Sequence, residues 1–259
     1  MNILFIGDLI GRAGRKVVSA LLDSIKYEYG IDLVIANGEN SAGGFGINEK
    51  IYKELRNKGI DIITTGNHIW DKKETVNQFD KMDYLIRPAN YPEGVPGNGF
   101  ISVAVGDMEV TIINLMGRVF MSLADCPFRA FDNIYEKVSR NVVLVDFHAE
   151  ATSEKNAFGL YVDGRATAVI GTHTHVQTND DRLLPKGTFY ISDVGMCGAL
   201  DSVIGMEKSA PINRFLTGIP LKFDVEKKGK MVFNAVVLSI DKDTMKVKKF
   251  NKIFKVIEG

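Results

Sequence analysis

The chain opens on a short apolar run, ILFIG at 3–7, and then changes period. Val17, Val18, Leu21, Leu22 and Ile25 recur at spacings of three and four, as on one face of a helix, and predict a helix over about 14–29. The alternation continues. DLVIAN at 32–37 reads as a second strand, residues 48–58 as a helix led by Asn48 as N-cap, and DIITTG at 61–66 as a third strand. Strand, helix, strand, helix, strand implies right-handed crossovers and a parallel sheet.

From about residue 99 the pattern becomes strand-rich. GFISVAV and EVTIINL flank Gly106-Asp107 and predict an antiparallel hairpin over 99–115. A helix near 128–139 leads into the continuous apolar strand NVVLVDF at 141–147, with further strands at ATAVIG (166–171) and GTFYIS (187–192). The last forty residues, from PLKFDVE through KMVFNAVVLSI to MKVKKFNKIFKVI, predict an antiparallel meander. A βαβ half followed by a strand-rich half suggests two packed sheets with helices outside, in one domain over 1–259. Residues 193–218 carry no element signal. Stretches of that length serve as lids, binding loops or interfaces. Met196, Val203, Ile204 and Met206 tip the expectation towards a subunit interface and so a homo-oligomer, with a lid as the alternative.

Charge narrows the partner classes. Lys+Arg and Asp+Glu both number 32, so the net charge is zero. That argues against an extended nucleic-acid surface but leaves room for a small anion at a local site. The lysines at 246, 248, 249, 252 and 255 read as the solvated face of an edge strand. Two cysteines, Cys126 and Cys197, are too few for a disulfide framework and indicate a reducing compartment. The first residues lack a basic signal-type segment, and no run approaches the ~18 apolar residues of a membrane span. The expectation is a cytoplasmic protein with no membrane association.

The chemistry lies at the strand ends, where ligands bind in open α/β sheets. Asp8 follows the first strand, Glu39-Asn40 the second, Asn67-His68 the third, His148 the strand at 141–147, and His173 and His175 the strand at 166–171. Taken singly, each has an ordinary reading as a turn former, a helix cap or a hydrogen-bonded core group. Taken together, they place all four histidines of the chain on equivalent edges, beside two carboxylates and two amides. Imidazole, carboxylate and amide oxygen are ligands for zinc, manganese, iron and harder ions. Residues two apart on a strand share a face, so His173 and His175 can enter one pocket if the extension persists. The set exceeds one tetrahedral site and suits two ions bridged by Glu39. Metals ~3.5–4 Å apart are the usual apparatus for displacement at phosphorus.

In the order Asp8, Gly38-Glu39-Asn40, Gly66-Asn67-His68, His148, Gly171-Thr172-His173-Thr174-His175, the chain resembles the calcineurin-like metallophosphoesterase superfamily over residues 1 to about 218. It departs from that pattern in three places. Ile10 stands where the first motif has a histidine, Glu39 replaces the bridging Asp, and Thr172 is an insertion in the last block. With TTGNHIWDKKE, FHAEATSEK and SDVGMCG, these features are similar to the YmdB-like branch.

The resemblance implies a four-layer α/β/β/α sandwich and a 2′,3′-cyclic-nucleotide phosphodiesterase using two metal ions, iron or manganese, with zinc or magnesium as alternatives. It implies that Asp8, Glu39, Asn40 and His175 hold one metal, with Asn40 in the place Ile10 leaves. Glu39, Asn67, His148 and His173 would hold the other. The nucleophile would be a metal-held hydroxide, and His68 the general acid.

Arg118 after NLMG could contact phosphate, and Phe45 in the glycine-rich SAGGFGIN loop could stack on a base. Two other readings stay open. One is a phosphatase or phosphodiesterase for a different phosphoester. The other is a regulatory, RNA-associated protein with a structural metal site, in which His68 would have no role.

Overall fold

The computed structural model describes residues 1–138 and 141–259. In chain order the elements begin with β1 (Asn2–Ile6), β2 (Asp8–Leu9), α1 (Gly11–Tyr29), β3 (Leu33–Asn37), α2 (Glu49–Asn57), β4 (Ile62–Thr64) and α3 (Lys73–Gln78). A one-turn 3-10 helix (Phe79–Lys81) follows. Then come β5 (Phe100–Val105), β6 (Met108–Met116), α4 (Pro127–Val138), β7 (Val142–His148), α5 (Thr152–Val162) and β8 (Ala168–Thr172). The chain continues through β9 (Arg182–Leu183), β10 (Phe189–Ile191), β11 (Met196–Ala199), α6 (Ser209–Thr217), β12 (Met231–Ile240) and β13 (Val247–Ile257).

Two mixed sheets form. The first has seven strands in the order β2-β11-β12-β1-β3-β4, with β13 also on β12. The second has six, in the order β5-β6-β7-β8-β10-β9. Within each, the central pairs β1/β3, β3/β4, β6/β7 and β7/β8 are parallel, so their carboxyl ends point the same way.

The period-two alternation of side chains decides the layering. Leu4, Ile6, Val34 and Ala36 face outwards onto Val17, Val18, Leu22 and Ile25 of α1 and Tyr52 and Leu55 of α2. Ile3, Phe5 and Ile35, one position away, face inwards onto Ile112, Leu144 and Ile170 of the second sheet. The far face of that sheet, with Leu115, Val143, Val145 and Phe147, meets Phe131 and Ile134 of α4 and Phe158 and Val162 of α5. This is the expected α/β/β/α sandwich. Among the described residues no helix is long and apolar enough to cross a membrane.

Local signals held where one element determined them. Asn48 caps α2 by accepting from the Ile51 N–H at 3.1 Å, and the β5–β6 hairpin turns at Gly106-Asp107. The helix expected near 128–139 runs Pro127–Val138, with position 139 outside the described residues.

Three expectations are corrected. Helix α1 begins at Gly11, three residues early; Gly11 itself takes φ 52° and donates its N–H to Asn40 O, and so turns the chain from β2 into the helix. The meander is only the β12–β13 hairpin. PLKFDVE stays irregular except for an isolated bridge of Val225 to Met206, because Val225 is buried against Ile10 and Met206. The 193–218 stretch is not structureless, since it contains β11 and α6.

The lysine row on and just before β13 is spread over separate partners: Lys252 meets Asp181, Lys255 meets Glu28, and Lys246, one residue before the strand, donates to Lys186 O.

Candidate metal centre

Parallel pairing brings five strand ends to one edge of the sandwich. The first sheet supplies Asp8 from β2, Glu39 and Asn40 after β3, and Asn67 and His68 after β4. The second supplies His148 at the end of β7, and His173 and His175 just beyond β8. His148 Nε2 is the focus. It lies 3.0 Å from Glu39 Oε1, 3.0 Å from Asn67 Oδ1 and 3.0 Å from His173 Nδ1. Ligand atoms of Glu39, His148 and His173 all lie within 4.8 Å of one another. Beside them, Asn40 Nδ2 is 3.1 Å from Glu39 Oε1 and 3.2 Å from His175 Nε2. His175 Nε2 is 4.0 Å from Asp8 Oδ1.

Gly66 explains how the third block closes on the others. A Cβ there would lie 2.3 Å from His148 Nε2 and 2.5 Å from Glu39 Oε2, so only glycine allows the approach.

Each imidazole turns one nitrogen to the focus and anchors the other. His148 Nδ1 is 2.8 Å from Thr172 Oγ1, which donates to the fully buried Asp146 carboxylate at 2.7 Å. His173 Nε2 is 3.1 Å from Glu150 Oε2. His175 Nδ1 is 2.9 Å from Ile204 O. These outer partners fix ring orientation and tautomer, as around metal-ligating histidines generally.

The strand extension expected through His173 and His175 does not persist. β8 ends at Thr172, and His173 and His175 take φ 100° and 67°. Such left-handed backbone at non-glycine residues costs ~1–3 kcal/mol each and persists only when its surroundings impose it. The surroundings here are the buried Lys155 and Asp193, paired at 3.0 Å. The Lys155 ammonium donates to Thr172 O, and Asp193 Oδ2 accepts from the Thr174 N–H. The two groups therefore grip the peptide on both sides of His173.

The charge balance calls for cations. Burial opposes ionisation of Glu39, yet the attraction and hydrogen bond of His148 hold its carboxyl down to about 2. Burial likewise works against the His148 imidazolium, but Glu39, Asp8 and Asp146 push it up to about 9. Burial, with the neighbouring acids Asp193, Glu39 and Asp146, raises Asp8 well above the usual carboxylate range against the pull of His148. His173 is pushed down to about 3 by burial and by His148. One imidazole thus faces more buried carboxylate than it can neutralise. Asp8 Oδ1 is buried and has no hydrogen-bond partner among the described residues. An orphaned carboxylate oxygen next to neutral imidazoles, a second carboxylate and two amides fits a metal centre.

His68 stands apart from the focus. Its backbone N–H donates to Glu39 Oε2, and its ring Nδ1 is 2.8 Å from Asp71 Oδ2. The Phe45 ring meets the His68 ring edge-on at 5.0 Å. Both rings line a cleft of about 470 Å³ with Glu39, Asn40, His173 and His175. Ile10 is fully buried among Met196, Met206, Val225 and Val232. Arg118 does not line the cleft; its side chain is exposed and its backbone N–H donates to Glu154.

Sequence reasoning missed the supports Asp71, Asp146, Glu150, Lys155 and Asp193. Only Asp71, three residues beyond His68, had a local signal.

A family model described as "YmdB-like protein" matches residues 4–253. The chain is 48% identical over 255 residues to the 2′,3′-cyclic-nucleotide 2′-phosphodiesterase of Bacillus subtilis (strain 168), covering 98% of this chain and 96% of that one. Among solved structures it superposes on a Thermus thermophilus protein, solved as a hypothetical protein, with TM-score 0.93, 44% identity and 99% coverage of both chains. It superposes on a Mycoplasma pneumoniae protein described as a novel phosphatase with TM-score 0.94 and 37% identity, covering 99% of this chain and 93% of that one.

Proposed function

The chain belongs to the YmdB-like protein family, and from that premise we propose that it is a dinuclear-metal phosphodiesterase for 2′,3′-cyclic nucleotides. One observation carries the reading: carboxylate, amide and imidazole donors from both sheets converge within hydrogen-bond distance of His148 Nε2, beside the orphaned Asp8 oxygen.

Asp8, Glu39, Asn40 and His175 would hold one ion, and Glu39, Asn67, His148 and His173 the other. Asn40, whose Nδ2 faces Glu39 and His175, would offer its amide oxygen to the ion. Iron and manganese suit this donor set. When bound, the pair supplies Lewis acidity at the phosphoryl oxygens and lowers the pKa of the attacking water.

The remaining work belongs to the chain. Glu39, Asn40, His173 and His175 line the end of the cleft where phosphate would sit. His68, with Nδ1 held by Asp71, keeps Nε2 for the substrate. Protonated, it donates from Nε2 to the departing ribose oxygen, and afterwards it recovers a proton from solvent. Asp71 accepts from the Nδ1–H and so keeps the ring oriented with Nε2 towards the substrate. A cytoplasmic setting belongs to the same reading, supported by the unpaired Cys126 and Cys197.

The test is metal analysis of the purified chain, followed by assay against the four 2′,3′-cyclic nucleotides. His68→Ala should lower kcat by about 10²–10⁴ with metal content retained, and Asn67→Ala should lose both metal and turnover. Full activity in both variants refutes the proposal. Turnover of phosphomonoesters alone would move the enzyme to another phosphoester class, and metal binding without turnover above a metal-only blank would leave a structural site.

A further inference from the structure

The cleft has two unlike ends. One is the polar end described above. The other is apolar, with Phe45, Met206, Pro211, Phe215 and Phe223 among its lining residues. Glu39, His68, His173 and His175 line the same space, so a molecule bound through phosphate at the polar end reaches the aromatic end without leaving it.

We propose that the aromatic end is a nucleobase subsite, which makes the substrate a mononucleotide held by its phosphate at one end and its stacked base at the other. This rests on the phosphodiesterase reading.

Three observations choose that occupant. First, among the described residues no lysine or arginine lines the cleft. A polyphosphate or a running RNA backbone would meet no row of side-chain counter-charges along these walls, where the Arg214 guanidinium lies over the Phe223 ring at 5.4 Å. A flat, uncharged group next to a single phosphate meets what the walls offer. Second, Phe215 is 84% exposed although it lines the cleft, and Phe45 is only partly buried, whereas the Phe223 ring is already met by the Arg214 guanidinium at 5.4 Å. Aromatic faces left open beside a polar site are platforms for stacking.

Third, Phe45 is held in place. Gly44, at φ 98°, has room for no side chain, since a Cβ would lie 2.6 Å from Val225 Cγ2 and 3.2 Å from Met206 Cε. That close packing ties the Phe45 loop to the apolar wall. On its other side the Phe45 ring meets His68 edge-on. A base stacked here therefore lies beside the group that protonates the leaving oxygen.

The test compares kcat/KM of the metal-loaded full chain for 2′,3′-cyclic AMP and for the abasic ribose 2′,3′-cyclic phosphate. Base stacking on an aromatic side chain corresponds to about five- to a hundredfold preference for the nucleotide. Phe215→Ala and Phe45→Leu should bring that ratio towards one, through KM rather than kcat. Equal kcat/KM for the two substrates in the unmodified chain overturns the subsite. So does a ratio preserved in both variants. A preserved ratio with a fall in molar mass by light scattering in Phe215→Ala would assign the surface to a subunit seam instead. If the unmodified chain turns over neither substrate, the phosphodiesterase reading fails. The subsite is then decided by calorimetry with adenosine: binding weakened at least fivefold in Phe215→Ala supports it, and equal binding or none overturns it.

Discussion

Replacing Lys155 by methionine tests the grip on the His173 loop. The Lys155 ammonium and the Asp193 carboxylate are each 1% exposed and 3.0 Å apart. At that distance their attraction is about 5–6 kcal/mol for an effective dielectric of 20, and desolvation of the two ions offsets much of it. The net worth of the pair is therefore small, but breaking it is not. Methionine keeps the apolar stem and removes the charge, leaving the buried Asp193 carboxylate with only the Thr174 and Gly195 N–H groups as partners among the described residues. An uncompensated buried charge costs about 3–5 kcal/mol. The double change Lys155→Met with Asp193→Asn should cost clearly less than Lys155→Met alone. The loss also reaches the site, because the Thr172 carbonyl is released and the left-handed turn at His173 loses one of its two anchors. Metal affinity should fall about 10–100-fold, as for other supports of ligating histidines. Urea denaturation of the metal-free chain gives the first quantity, and calorimetric titration with Mn²⁺ the second. A single-variant cost below about 1 kcal/mol, with unchanged affinity, would refute the reasoning.

Asp71→Asn should lower kcat by at least about tenfold with metal content unchanged, because the amide no longer fixes the His68 tautomer; steady-state kinetics beside metal analysis checks it. Burial of Asp180 opposes its ionisation, yet hydrogen bonds from Ser192 and Thr178 hold its carboxyl below its ordinary 3.8. A lowered folded pKa means stability present above 3.8 and lost as pH falls through the folded value. Asp180→Asn should accordingly flatten the acid limb of the stability curve, and an unchanged limb would contradict this. Burial pushes the Cys197 thiol far up, whereas Cys126 is partly exposed. A thiol reagent should therefore label only Cys126 in the native chain and both cysteines in urea.

The donors were legible because each sits where a strand stops, and chain order alone fixed which strands stop together. The turn that aims two of them was not. His173 and His175 read as continuing β8, but a lysine from α5 and an aspartate 20 positions after His173 impose left-handed backbone there. Helix α5 itself was hidden because Lys155 occupies one of its buried positions and breaks the apolar stripe. Helix α6 did carry a signal, since Ile212, Phe215 and Leu216 recur at spacings of three and four, but all three remain exposed, so the stripe marks no core contact. Arg118 at the end of β6 fitted the strand-end pattern, yet its side chain turns to solvent away from the cleft. Which way a loop side chain turns depends on tertiary partners such as Glu154, 36 residues away.

The split of the donors between layers makes activity a report on assembly. Four come from the first sheet and three from the second, so neither sheet carries a working set. His148 lies opposite Thr172 on β8 and Met116 on β6. A slip of one residue in either pairing would send its ring to the other face of the sheet. Under the proposed function, a nascent, truncated or misdocked chain would be inert towards phosphoesters and a poor scavenger of transition metals, and hydrolytic competence would appear only once the two layers have met in register.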